Sequence, residues 1–234
     1  MEKTLKIASF NIQSFHNYPV VDIDQKHAAS VINKHKPDFV GLNEVRAWFD
    51  YPVQPESIAK ETGYSDYFYA PILELKDRLY GNGLLSSFPI KHAEMIPIPQ
   101  YKNYEKRCIL KAELDVAGGI TVFVTHFGLT DPEQETSIKL LCELIGENPK
   151  KTVLMGDFNL RPDCKLLNLL KEILVDTAEG YAEEELLTWP SIDGQRKIDY
   201  IFVSPDFKIL KTYTADEIGS DHKMILTELV LERE

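Results

Sequence analysis

Eight short apolar runs dominate this chain, and most of them meet a polar side chain at one end. Residues 5–12, 38–45, 83–88, 108–116, 120–127, 152–158, 198–203 and 224–231 are rich in β-branched and aromatic residues. Runs of this length and composition read as buried strands. Three segments between them carry helical spacing. Residues 24–36 place Ala28, Val31, Ile32 and His35 on one face and stop before Pro37. Residues 131–146 open with Asp131 as the expected N-cap, Pro132 at the first helical position and Gln134 in a capping-box place, and Gly146 closes them. Residues 163–174 carry Leu166, Leu167, Leu169, Leu170 and Ile173.

Strands outnumber helices and do not alternate with them as in a parallel βαβ repeat. Ala117-Gly118-Gly119 reads as a hairpin turn between two of the strands. Mixed β-sheets packed face to face, with helices outside, fit this pattern. The 234 residues contain no low-complexity tract or linker, so one domain over 1–234 is expected. Residues 181–188, with Glu183, Glu184 and Glu185, read as an acidic surface segment.

The polar residues at the strand ends are costly in a core unless paired, hydrogen-bonded or bound to a metal. Six places carry them: Asn11; Asn43-Glu44; His126; Asp157 with Asn159; Asp199; and Asp221-His222. Singly, each has a plain alternative. Asn11 suits a turn, Glu44 a solvated strand end, His126 a hydrogen-bonded core histidine and Asp221 a cap. Together they predict one site at one rim of the sandwich.

The residue types narrow the chemistry. Asp, Glu and Asn are hard oxygen donors that suit Mg2+ or Mn2+ better than zinc. Asp157 and Asn159 stand at i and i+2, on one side of an extended chain, where one can hold a cation or its water and the other orient an attacking water. His126 and His222 can donate to a phosphoryl oxygen or move protons near neutral pH, and Asp199 can fix the tautomer of His222.

In chain order, Ala8-Ser9-Phe10-Asn11, Gly41-Leu42-Asn43-Glu44-Val45, Gly81-Asn82-Gly83-Leu84-Leu85-Ser86, Glu105-Lys106-Arg107, Val124-Thr125-His126, Gly156-Asp157-Phe158-Asn159, Ile198-Asp199-Tyr200-Ile201-Phe202 and Ser220-Asp221-His222 resemble the motifs of the endonuclease/exonuclease/phosphatase superfamily. That superfamily includes pancreatic-type deoxyribonucleases, abasic-site endonucleases, neutral sphingomyelinases and inositol polyphosphate 5-phosphatases. The resemblance implies an α/β four-layer sandwich and a metal-dependent phosphoric ester hydrolase. It implies that Glu44, Asn11 and Asp221 hold a divalent cation, and that Asp157 and Asn159 position the attacking water and take part in cation binding. It also implies that His126 and the His222–Asp199 pair bind the phosphate, with Asn82 and Arg107 on its oxygens. Position 43 departs from the pattern, with Asn where many members carry Gln.

The substrate is left to the rim segments 48–55, 72–81, 97–104 and 188–196. Lys76 and Arg78 make the segment 72–81 only moderately basic, whereas Tyr101, Lys102, Tyr104, Lys106 and Arg107 suit either an aromatic-basic lip or a plain surface loop, and Trp189 either lines the site or anchors packing. The net charge of −11 opposes binding to a long polyanion. A small or soluble phosphorylated substrate is therefore expected. DNA or RNA is the alternative, and an inactive phosphate- or protein-binding module of the same fold is the alternative of another class. Cys108, Cys142 and Cys164 lack CxxC spacing and read as free thiols. The start Met1-Glu2-Lys3-Thr4 leads straight into a strand, as expected of a cytoplasmic protein, although a secreted protein stripped of its leader reads the same way; a monomer is expected.

Overall fold

The computed structural model of the protein describes residues 4–13, 25–48, 54–75, 78–100 and 104–231. In chain order the elements are β1 (Thr4–Asn11), α1 (Gln25–His35), β2 (Phe39–Trp48), α2 (Gln54–Thr62), β3 (Asp66–Leu75), β4 (Arg78–Ser86), β5 (Ile90–Pro97), β6 (Cys108–Leu114), β7 (Ile120–His126), α3 (Asp131–Ile145), β8 (Thr152–Asp157), α4 (Leu167–Lys171), β9 (Val175–Asp176), β10 (Asp199–Val203), β11 (Phe207–Thr214) and β12 (Ile225–Leu231). They form two six-stranded sheets, ordered β11-β12-β1-β2-β4-β3 and β5-β6-β7-β8-β10-β9. Both are mixed. The pairs β1–β2 and β7–β8 are parallel and the others antiparallel.

Side-chain alternation along the strands builds the layers. Leu5 and Ile7 of β1 face a core between the sheets, shared with Phe39, Leu110, Val124 and Met155. Ala8 and Phe10 face the opposite way, onto Val31 and Ile32 of α1 and Ile58 of α2. Leu154 likewise turns outward from β8, toward Ile138 and Leu141 of α3 and Leu167 and Leu170 of α4. Strands covered on both faces read as continuous apolar runs, as these do. Gly41 packs tightly against the second sheet, since a Cβ there would lie 2.6 Å from Sδ of Met155.

Three details differ from the sequence expectation. Asp131 is the first residue of α3 and not its cap; Thr130 precedes it, and the Thr130 backbone N–H and Oγ1 both donate to Glu133. Gln134 instead donates to the carbonyls of Gly128 and Asn159, tying α3 to the loop after β8. Gly146, at φ 78°, closes the helix as expected. The segment 163–174 is helical only over Leu167–Lys171, because its start makes three-residue turns such as Cys164 N–H to Arg161 O and Leu167 N–H to Cys164 O. Finally, β3, β5, β9, β11 and α2 join the expected elements.

The hairpin turn lies where expected, with Ala117, Gly118 and Gly119 all at positive φ. All three cysteines are free thiols. Among the described residues no helix is long and apolar enough to cross a membrane. Asp24, Lys76, Tyr101, Lys102 and the side chain of Arg78 lie outside the described residues.

Candidate active site

Register brings the polar strand ends together. In the second sheet His126 of β7 pairs with Asp157 of β8, and Asp157 pairs with Asp199 of β10. Three neighbouring strands thus present one row of polar residues. In the first sheet Asn11 of β1 pairs with Asn43 of β2. β12 runs antiparallel to β1, with Ile225 opposite Ser9, so the preceding Asp221 and His222 arrive at the same rim.

Backbone irregularities aim these side chains. Between Leu42 and Val45 the pairing of β2 with β4 slips, so that Asn43 and Glu44 stand opposite the single residue Asn82. This is a β-bulge, which re-aims a side chain. Glu44 adopts φ 58° there. A left-handed conformation in a non-glycine residue costs about 1–3 kcal/mol, offset by the surrounding structure. Asn159, at φ 52°, turns the chain just after β8, and its N–H donates to Oδ1 of Asp157 at 2.9 Å.

Asp157 is the hub. Its Oδ2 accepts from Nδ2 of Asn11 at 3.0 Å and lies 3.5 Å from Nε2 of His126 and 3.6 Å from Nε2 of His222. Asn11 also donates to Oε1 of Glu44 at 3.1 Å. Nδ1 of His222 lies 2.8 Å from Oδ2 of Asp199. Arg107 lies 2.7 Å from Nδ1 of His126. Asn43 knits the sheets behind this group: it donates to Asn82 at 2.9 Å and to the Thr125 carbonyl at 2.8 Å, and its Oδ1 accepts from the Asp157 N–H at 2.9 Å.

The two histidines differ in charge. Burial, then the neighbouring Arg107 and His222, hold His126 well below the ordinary histidine range, so its ring is neutral. Burial also opposes charge on His222, but Asp199 and Asp157 outweigh it and push the group up to about 10. Burial raises the Asp157 carboxyl, and Asp199 adds to that against the attraction of His222. Burial likewise raises Glu44, against the Asn11 hydrogen bond. Asp157 and Glu44 thus both resist ionisation without a compensating cation.

Residues 8–222 match the family model described as Endonuclease/Exonuclease/phosphatase family. The chain belongs to the endonuclease/exonuclease/phosphatase family. An uncharacterized protein of Escherichia coli K12, YbhP, is 29% identical over 104 residues, 42% of this chain and 41% of that protein. The chain thus matches about two fifths of the length of this curated relative. Among solved structures, an endonuclease/exonuclease/phosphatase from Beutenbergia cavernae superposes with TM-score 0.86 at 21% identity, covering 98% of this chain and 72% of that one. A mannosyl-6-phosphatase of Bacteroides thetaiotaomicron gives TM-score 0.72 at 20% identity over 97% and 99% of the two chains. TDP2 of D. rerio with a single-strand DNA product gives TM-score 0.75 at 19% identity over 97% and 99%. At these identities the structural likeness shows the fold.

On this family fold, a cleft of about 550 Å3 opens over the hub. Glu44, Arg107, His126, Asp157, Asn159, Asp221, His222 and Trp189 line it. Trp189 is held by a hydrogen bond from its Nε1 to Oδ2 of Asp221 at 3.3 Å. Asn82 is set back from the cleft, buried between Asn43 and the Cys108 carbonyl, to which it donates at 2.9 Å. Asn11 and Asp199 are also fully buried, behind the residues they orient. Arg46 and Leu129, which sequence reading did not single out, line the cleft as well, together with Tyr80 and Arg196 of the rim segments 72–81 and 188–196. Arg46 could have been found two residues beyond Glu44 on the same strand, and Tyr80 just before Gly81-Asn82-Gly83.

Ligand atoms of Asp157, Asp199 and His222 lie within 4.8 Å of one another. The close contact of His222 with Asp199 is itself a hydrogen bond, so this trio suits proton handling better than cation binding. Glu44 and Asp157 turn carboxylate oxygens to the same place, where the Asn11 Nδ2 donates to both, and that pair of carboxylates fits a hard divalent cation.

Proposed function

We propose that this protein is a phosphoester hydrolase dependent on Mg2+ or Mn2+, acting on a small or soluble phosphorylated substrate. The observation that carries this reading is Asp157, whose Oδ2 faces a neutral imidazole, a charged imidazole and the amide that also holds Glu44.

Glu44, Asp157 and Asp221 would hold the cation, with Asn159 beside them, and Asn11, read from sequence as a ligand, would instead orient the two carboxylates to which its Nδ2 donates. When bound, it would offset phosphoryl charge and make water a stronger nucleophile. Asp157 and Asn159 position the attacking water, and Asp157 accepts its proton. The water oxygen bonds to phosphorus as the ester P–O bond breaks, and the departing oxygen is protonated from solvent. His126 and His222 present Nε2–H groups to the phosphoryl oxygens, where added charge in the transition state strengthens both hydrogen bonds. Arg107 contributes a fixed positive charge on the same side. Asn82 acts one layer back, through Asn43.

A substrate panel tests this reading: DNA, RNA, sugar phosphates, inositol phosphates and lipid headgroup diesters, each with Mg2+, with Mn2+ and with chelator. Turnover that survives chelation, or that is undiminished in both Asp157→Ala and His222→Ala, overturns it. Efficient cleavage of DNA or RNA at physiological salt moves the substrate to nucleic acid. No turnover of any substrate points to a binding module.

A further inference from the structure

Three guanidinium groups line the cleft, and they are not alike. Arg107 has its partners: Glu105 at 3.0 Å, His126 at 2.7 Å and the Tyr80 hydroxyl at 3.5 Å. Among the described residues neither Arg46 nor Arg196 has a carboxylate partner. Each rests over an aromatic ring, as Arg107 does 6.0 Å from the Tyr80 centroid, but without the carboxylate that Arg107 has. Arg46 lies 5.8 Å from the centroid of Tyr80, and Arg196 lies 5.5 Å from that of Trp189. In a chain with 37 acidic side chains against 26 Lys and Arg, carboxylates are abundant. Two unpaired arginines at one cleft are therefore informative.

Stacking on a ring holds a guanidinium plane while leaving its N–H fork open to an acceptor. Arg46 follows Glu44 by two residues in the first sheet, and Arg196 precedes Asp199 by three in the second. Both line the same cleft.

We infer that Arg46 and Arg196 recognise a further anionic group on the substrate, so that the preferred ligand is a small phosphoester carrying a second phosphate or equivalent anion. This rests on the phosphoester reading above and names its substrate class. The cleft of about 550 Å3 suits a small ligand. The charge of −11 opposes a long polyanion.

Calorimetric titration without divalent cation, where no turnover is needed, compares glucose 6-phosphate with glucose 1,6-bisphosphate. The native protein is expected to bind the bisphosphate at least tenfold more tightly, about 1.4 kcal/mol. In Arg46→Met/Arg196→Met the two ligands should converge to within about twofold. Arg196 is exposed, so Arg196→Gln alone should narrow the gap without disturbing the fold, which thermal melting checks. Equal affinities in the native protein, or an undiminished preference in the variants, overturn the inference. Tighter binding of a single-stranded tetranucleotide than of the bisphosphate also overturns it. If the preference holds but the turnover panel fails, the hydrolase reading falls and the anion subsite stands.

Discussion

Arg107 donates to Nδ1 of His126 across 2.7 Å, and because a guanidinium cannot accept a hydrogen bond, the imidazole must be neutral with its proton on Nε2. That proton faces Oδ2 of Asp157 and the cleft. The 3.3 Å approach of the Asn159 Nδ2 to the same nitrogen is then a contact between two donors, and Nδ2 is satisfied by the Phe127 carbonyl at 3.1 Å. Nitrogen NMR should find His126 as the Nε2–H tautomer, with no protonation at pH 6. In Arg107→Met that lock is lost, and turnover should fall by roughly 100-fold.

His126 also sets an acid limit on stability. The unfolded chain takes up a proton on this ring near pH 6.5. The folded protein does so only well below that value. Lowering the pH through this window therefore favours unfolding. Chemical denaturation between pH 7 and 5 should show falling stability in the native protein and a flatter profile in His126→Gln.

The His222–Asp199 pair works in the opposite sense. His222 is pushed up to about 10, so its contribution to stability is complete below about pH 6.5 and is lost as the pH rises toward 10. Asp199→Asn removes the main attraction that keeps the ring charged against burial. The alkaline limb of the pH–rate profile should move to lower pH in that variant, and turnover should drop by roughly 100-fold or more.

Glu44 trades stability for its task. Burial raises its carboxyl, so the folded state holds the proton to higher pH than the unfolded state, and stability is lost as the pH rises through that titration. Without metal at pH 8, Glu44→Gln should be more stable than the native protein by about 0.5–2 kcal/mol, and so melt higher. The same variant should bind Mn2+ more weakly, as read by electron paramagnetic resonance. A melting temperature unchanged or lower, with Mn2+ affinity intact, would count against the assignment.

Gly156 has no freedom at all. Its φ is 148°, and a Cβ there would lie 1.8 Å from the Thr125 carbonyl oxygen. Gly156→Ala must break the pairing of β7 with β8 that aligns His126 with Asp157. We expect a loss of about 3 kcal/mol or more, which for a chain of this size is roughly 6–12 °C in Tm by calorimetry.

The eight runs read as strands are the eight interior strands, and the four that escaped reading are the four sheet edges. The reason is physical. Interior strands such as β8 are buried along their whole length, whereas β5 at one edge has no fully buried residue. Lys208, Leu210 and Lys211 likewise leave β11 half in water. The site was legible for the same reason in reverse, since Asn11, Asp157 and Asp199 are polar within apolar runs. Arg46 and Arg196 were not, because a surface arginine is ordinary until the aromatic ring beneath it and the missing carboxylate are both known. Asn82 was read as a phosphate contact, whereas the structure sets it back from the cleft, against Asn43 and the Cys108 carbonyl.

Asn43 carries a consequence of its own. One side-chain amide spans from Asn82 in the first sheet to the Thr125 carbonyl and the Asp157 N–H in the second. Its length is a gauge for the gap between the sheets, and hence for the distance from Glu44 to Asp157. A glutamine, which many family members carry at this place, is longer by one C–C bond, about 1.5 Å. A cation seat tolerates far smaller errors than that. At Gly41 the room between the sheets is already taken by the Met155 side chain, whose Sδ lies 2.6 Å from where a Cβ would stand. Exchanging Asn43 for glutamine would amount to recalibrating the whole rim, and a matching change at Gly41 or Met155 would have to accompany it.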